Sequence, residues 1–192
     1  MSERRWTRDR WLTLGEARLR EGGAAALSLE ALCEAAGRTR GSFYHHFPTT
    51  EAFLEALVER WRRRTTDQIG EVALASRKPE TASKTLLKLT AGIDPRLDLA
   101  IRSLGAERPE LAAAIADMDA RREAIVAELL KAIYGLDETR AAAGARLFHS
   151  VYLAAQVRRP EDLRGFIDGP YRLLFELLRS VQVNPDSDLR VE

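Results

Sequence analysis

The sequence predicts an all-α protein of about nine helices, a three-helix N-terminal unit followed by a larger helical domain. Three observations predict it. Apolar residues recur at helical spacing almost throughout, no run alternates with period two in β-branched residues, and Gly or Pro falls where one helix would stop and the next begin. Hydrophobic residues are 45% and charged residues 31% of the 192. That is the balance of a globular chain, and it excludes disordered and fibrous classes. The length suits one large domain or two of about 100 residues.

The first periodic stretch, 7–21, sets Trp11, Leu14, Gly15 and Leu19 on one side and stops at Gly22-Gly23. The second starts at Ser28, a good N-cap, with Glu30 in its first turn and Leu27 placed to staple against Leu32. Its inward face reads Leu29, Leu32, Cys33, Ala36, and Gly37 ends it. A third short helix at about 39–46 puts Phe43 and Phe47 one turn apart, and Pro48 closes it. Thr49 or Thr50 then caps a fourth helix to about residue 64, with a stripe of Phe53, Leu54, Leu57, Val58 and Trp61. From about Gly70 to Glu80 the periodicity fades, so a domain boundary is placed there. The expected domains are 1–65 and 66–183, followed by a flexible polar tail at 184–192.

Five further helices are expected at about 80–91, 95–106, 109–134, 138–157 and 161–182, punctuated by Gly92, Pro95, Pro109, Gly135 and Pro160. The last is apolar on more than one side: Leu163, Phe166, Ile167, Leu173, Leu174, Phe175, Leu177, Leu178 and Val181. A helix of that kind is buried on two sides, so it and the helix at 138–157 are expected to pair with a second copy of the chain as a homodimer. Gly169-Pro170 either kinks this helix or starts a new one.

The opening MSERRWTRDR leads into no apolar run, so no secretory signal is expected. No apolar stretch approaches the roughly 20 residues that span a bilayer. With the lone Cys33 unable to form an internal disulfide, a cytoplasmic protein is expected. Net charge is only +1, but it is unevenly spread. Residues 1–64 hold twelve arginines and no lysine against nine acidic residues; the remainder holds eighteen basic and twenty acidic. Arginines bunch at Arg4, Arg5, Arg8, Arg10 and at Arg60, Arg62, Arg63, Arg64. Such bunches suit a nucleic-acid face, although solvated helix surfaces carry them too.

Two short helices joined by Gly37-Arg38-Thr39 match a helix-turn-helix unit. Small Cys33 and Ala36 allow the helices to cross closely, and Gly37 tolerates the positive φ of a tight turn. With Phe43 and Phe47 turned inward, Arg40, Ser42, Tyr44, His45 and His46 are left facing out.

Residues 6–61, above all Gly37-Arg38-Thr39-Arg40-Gly41-Ser42-Phe43-Tyr44-His45-His46-Phe47-Pro48, resemble the DNA-binding domain of the TetR family of transcriptional regulators. Trp11-Leu12, Gly23, Ser28, Leu32, Gly41, Tyr44, Phe47 and Glu51 fall in register with its pattern. The resemblance implies a sequence-specific regulator, acting as a repressor on a palindromic duplex. It puts Ser28, Arg38, Thr39, Arg40, Gly41, Ser42, Tyr44, His45, His46 and Thr50 at the DNA. Of these, Arg40, Ser42 and His45 are placed for base edges or nearby sugar-phosphate, and Ser28, Tyr44 and His46 for phosphate. Where the family usually has Lys at the start of the fourth helix, this chain has Thr50, so one charge-assisted phosphate contact is missing.

Catalytic and metal-binding roles find little support. His45 and His46 point about 100° apart on a helix and cannot ligate from one face, and His149 sits alone on an apolar helix. Asp117, Asp119, Glu123, Arg121 and Arg122 read as surface ion pairs. No nucleophile elbow, phosphate-binding glycine loop or zinc spacing occurs. No catalytic residue, metal or cofactor is therefore expected. A small apolar or amphipathic effector is expected instead, with Leu97, Ile101, Arg102, Leu104, Met118, His149 and Tyr152 as candidate lining. A helical enzyme or small-molecule carrier with a silent first domain is the alternative, and a sequence preference on duplex DNA would separate the two.

Overall fold

The computed structural model describes residues 6–158 and 163–183. Its helices are α1 (Arg8–Gly22), α2 (Leu29–Ala36), α3 (Arg40–Tyr44), α4 (Thr50–Arg62), α5 (Gln68–Leu74), α6 (Pro79–Thr90), α7 (Pro95–Glu107), α8 (Pro109–Tyr134), α9 (Glu138–Arg158) and α10 (Leu163–Val183). No strand occurs among the described residues. The fold is all-α, and no described helix is long and apolar enough to cross a membrane. Thr50–Leu74 contains no non-helical residue, since a π turn at Arg63–Asp67 separates α4 from α5; counted as one, it gives the nine helices expected.

The described residues pack as two compact units, one of residues 6–67 with 93–118 and the other of 68–92 with 119–158 and 163–183. In the first, α7 packs with the N-terminal helices although residues 63–94 separate it from α4 in the chain. The boundary expected near residue 65 remains a proposal about function, because packing does not follow it.

The first unit is built on aromatic side chains. Trp11, Phe43, Phe47, Phe53 and Trp61 are all 2% exposed or less, and their rings meet mostly edge to face: Trp11 on Phe43 at 5.3 Å, Phe43 on Phe53 at 5.4 Å, Phe47 on Phe53 at 5.1 Å. α1 crosses α4 at Gly15, where a Cβ would stand 2.5 Å from the Phe53 ring; only glycine allows that approach. Polar bonds bring α7 in. The Trp61 indole donates to fully buried Asp98 at 2.9 Å, Arg102 donates to the other carboxylate oxygen at 3.2 Å, and Arg20 pairs with Asp94 at 2.6 Å.

Apart from Leu136 in the intervening loop, a core cluster of the second unit comes from α8, α9 and α10: Ala127, Leu130, Tyr134, Ala141, Ala145 and Phe148, with Tyr171, Leu174, Phe175 and Leu178 of α10 against them. α10 runs unbroken through Pro170, so the open question at Gly169-Pro170 is settled against a split helix. The expected start at 161 lies outside the described residues, as do the side chains of Leu163 and Val181. One expectation needs correction. The stretch from Gly70 that lost its periodicity is helical as far as Leu74, because small residues make the contact there: Gly70 and Ala73 are buried, and a Cβ on Gly70 would lie 2.6 Å from Ile125. Packing through absent side chains leaves no apolar stripe to read.

Candidate nucleic-acid interface

Local capping shapes this surface. Ser28 accepts the Ala31 amide at 3.2 Å and starts α2. Gly37, at φ 60° and ψ 37°, ends it in the left-handed region, with the Arg38 amide donating to Cys33 O at 3.0 Å. Two residues later Thr39 accepts the Ser42 amide at 3.3 Å and starts α3. That helix has five residues, too few to persist alone. Phe43 in its middle is wholly buried and holds it against α1 and α4.

With Phe43 fixed, the remaining side chains take their places by helical geometry. Thr39, Arg40, Gly41, Tyr44 and His45 are exposed, while Arg38, Ser42 and His46 are half-buried. The structure thus brings together the turn and α3 residues singled out in the sequence, with Ser28 exposed at the start of neighbouring α2. Cys33 stays beneath this surface, where burial pushes its thiol up and keeps it protonated.

Three of these residues have partners that sequence spacing did not suggest. Arg40 is ion-paired with Glu30, and both side chains are about two-thirds exposed (64% and 65%). DNA would have to draw the guanidinium from that carboxylate. His46 Nε2 lies 2.9 Å from the Trp6 carbonyl, which can only accept, so Nε2 carries the proton and donates. His46 therefore anchors the chain ahead of α1, and Nδ1 can donate to a phosphate only when the ring is protonated on both nitrogens. Thr50 donates its hydroxyl to Glu51 at 3.1 Å, while Thr49 caps α4 by accepting the Ala52 amide at 3.0 Å. A phosphate would compete with the Glu51 carboxylate for that hydroxyl. The Glu51 carboxyl itself is held below the usual range, first by its own backbone amide and then by the Thr50 and Thr49 hydroxyls.

Trp6 is the residue beside this candidate surface that sequence reasoning missed. Its ring lies under the Arg10 and Arg38 guanidinium groups, at 5.5 and 5.8 Å, and packs edge-on against Trp11 at 5.6 Å. A hollow of about 350 Å³ opens beside it, lined also by Arg38, Thr39, Ser42 and His45. The available signal was a tryptophan just ahead of the first helix, among arginines.

Much of the second arginine bunch is committed elsewhere. Arg60 bonds Glu16 at 3.1 Å and Thr13 at 3.1 Å and pairs with Asp9; Arg64 bonds Glu16 at 2.9 Å; Arg62 pairs with Glu59 and Asp67. These arginines tie α4 to α1 and to its own continuation.

The candidate effector residues divide between the units. Leu97, Ile101, Leu104 and Met118 are at most 1% exposed in the first unit, where Arg102 pairs with Asp98. His149 and Tyr152 lie on one face of α9 in the second. His149 is 3.1 Å from Glu123 and 3.4 Å from Asp119, and its ring stacks on Tyr152 at 6.3 Å. Among the described residues no group of His, Cys, Asp and Glu is arranged to hold a metal ion.

Residues 13–57 match the family model of bacterial regulatory proteins, tetR family. Over almost the whole chain the fold is similar to the reduced form of NemR from E. coli, with a TM-score of 0.64 at 18% identity, covering 96% of this chain and 98% of that one. It is equally similar to the ketosteroid transcriptional regulator KstR2 of Mycobacterium tuberculosis, with a TM-score of 0.64 at 17% identity, covering 94% and 96%. No curated protein matches the sequence.

Proposed function

We propose that the chain, whose residues 13–57 match the model of the tetR family, is a DNA-binding transcription regulator of that family, and more closely a cytoplasmic, homodimeric repressor of a palindromic operator, released by a small ligand. One observation carries the reading. A capped five-residue helix, anchored by a wholly buried Phe43, turns Arg40, Tyr44 and His45 outward. That is the surface a major groove accepts, with short hydrogen-bonding groups on a rigid base.

Dimerisation would use α9 and α10. Leu147 and Val157 of α9 are 53% and 67% exposed, and Leu173 and Leu177, one turn apart on α10, are 57% and 53% exposed. Paired about a two-fold axis, these helices form a four-helix interface, and a dimer reading successive major grooves meets half-sites about one DNA turn, ~34–36 Å, apart. Release by ligand has a lever in α7. Through Asp98 and Asp94 this helix is bonded to Trp61 of α4 and Arg20 of α1, so a ligand that shifts α7 shifts the base of the reading surface. By linkage, the effector then changes DNA affinity as much as DNA changes effector affinity.

Selection of bound duplexes from a random library tests the reading, and a palindromic preference is the expected result. Tyr44→Phe should weaken all sequences alike. Arg40→Ala should relax one position by about 1–3 kcal/mol, and Glu30→Gln should tighten binding by freeing Arg40 and removing an anion from the DNA side. No selected motif at all would sink the proposal, and an unchanged motif in Arg40→Ala would remove that residue from base reading.

A further inference from the structure

The second unit contains a cleft of about 720 Å³ between α6, α9 and α10. Its size falls in the range of about 300–1,000 Å³ usual for small-molecule sites. The walls are apolar: Leu87 of α6, Tyr152 of α9, and Ile167, Tyr171 and Phe175 at successive turns of α10. Tyr171 is committed, since its hydroxyl donates to Phe148 O at 3.0 Å and burial pushes its titration upward, so it stays neutral.

The mouth is cationic. Lys84 and Lys88, one turn apart on α6, and Arg172 on α10 line it against a single carboxylate, Asp168. Among the described residues none of these three cations makes an ion pair, and Asp168 does not come within pairing distance of Arg172 one turn on. The contrast with the first unit is informative, because Arg60, Arg62 and Arg64 are all bonded to carboxylates there. Three unneutralised cations around an apolar hollow attract an anion and concentrate it at the opening. A neutral apolar ligand would leave them unused, and a cation would be repelled.

We propose that this cleft binds a small amphipathic anion, its apolar body between Leu87, Tyr152 and Phe175 and its carboxylate or similar head group at Lys84, Lys88 and Arg172. The proposal deepens the ligand-controlled reading above, on which its consequence for DNA rests. It also moves the effector site: of the lining residues expected from sequence, only Tyr152 takes part.

Isothermal titration of the full-length protein with decanoate, decanol and decyltrimethylammonium, each below its micelle-forming concentration, tests it. Decanoate should bind about tenfold or more tightly than either of the others. Lys88→Glu with Arg172→Glu should abolish decanoate binding and admit the cation. Lys88→Gln with Arg172→Gln, which removes charge without reversing it, should weaken decanoate binding and serves if the reversal disturbs folding. Equal affinity for the three probes overturns the proposal, as does decanoate binding untouched by both variants. Failure of the wild type to bind any probe, with the variants changing the sedimentation coefficient, makes the cleft a subunit contact and overturns it too. Operator affinity is measured separately with and without decanoate. If decanoate binds as expected and DNA affinity does not move, ligand control of the operator fails while the anion site stands.

Discussion

Two surfaces of this molecule face outward with opposite chemistry. Around α3 the exposed groups are a guanidinium, a phenol and an imidazole on a five-residue helix whose one large apolar side chain is buried. Along α9 and α10, helices of 21 residues that each have a core face of their own, three leucines and a valine stand exposed among the polar groups. The difference teaches how a partner's chemistry is written into a helix. A polar, hydrated partner is met by a short helix that spends its apolar residue on anchoring. An apolar partner is met by a long helix with apolar residues left over after its own core is filled.

Breaking the apolar surface should give the largest effect. Burying a leucine is worth roughly 1.5–3 kcal/mol, and a two-fold interface would lose four of them in the variant Leu173→Glu with Leu177→Glu. Sedimentation should show association weakened by about a thousandfold or more, with helical circular dichroism kept. A variant that remains a dimer would place the interface elsewhere. Removing the anchor of the polar surface comes next. Phe43→Ala should cost about 3–5 kcal/mol of stability by thermal or urea unfolding. A loss under ~1 kcal/mol would mean that α3 is held by its caps, which would undo the contrast drawn above.

The smallest effect sharpens the comparison at the start of α4. The folded Glu51 carboxyl titrates below its unfolded value, so its contribution is present above the ordinary carboxylate range and is lost as pH falls through the folded value. Wild type should melt slightly above Glu51→Gln at neutral pH, and the gap should narrow as pH falls below the ordinary carboxylate range. A gap that persists in acid would trace to packing at that position.

What sequence alone could reveal follows the same division. The caps at Ser28 and Thr39, the left-handed Gly37 and the inward Phe43 and Phe47 all act within a few residues, so spacing exposes them. The ties between Arg60 or Arg64 and Glu16 join positions more than forty residues apart, and no local pattern reports them. α5 was hidden because Gly70 and Ala73 pack by being small. The effector lining expected from sequence rests on helical phase within α7, α8 and α9, but phase does not say what an apolar face packs against. Four of its residues fill the core of the first unit. The anion cleft depends on which cations find a carboxylate, and that is decided only when the helices meet.

The anchoring of α3 has a consequence for the thermodynamics of recognition. A five-residue helix pinned through one ring has no independent opening that leaves Phe43 in place. Its amides should therefore exchange with solvent only when the surrounding aromatic cluster opens, at rates set by that larger event. A surface already ordered before contact pays little conformational entropy on binding. In the regulator proposed, discrimination between duplexes would then rest on hydrogen bonds and charge, because no folding of the reading element is left to be coupled to the encounter.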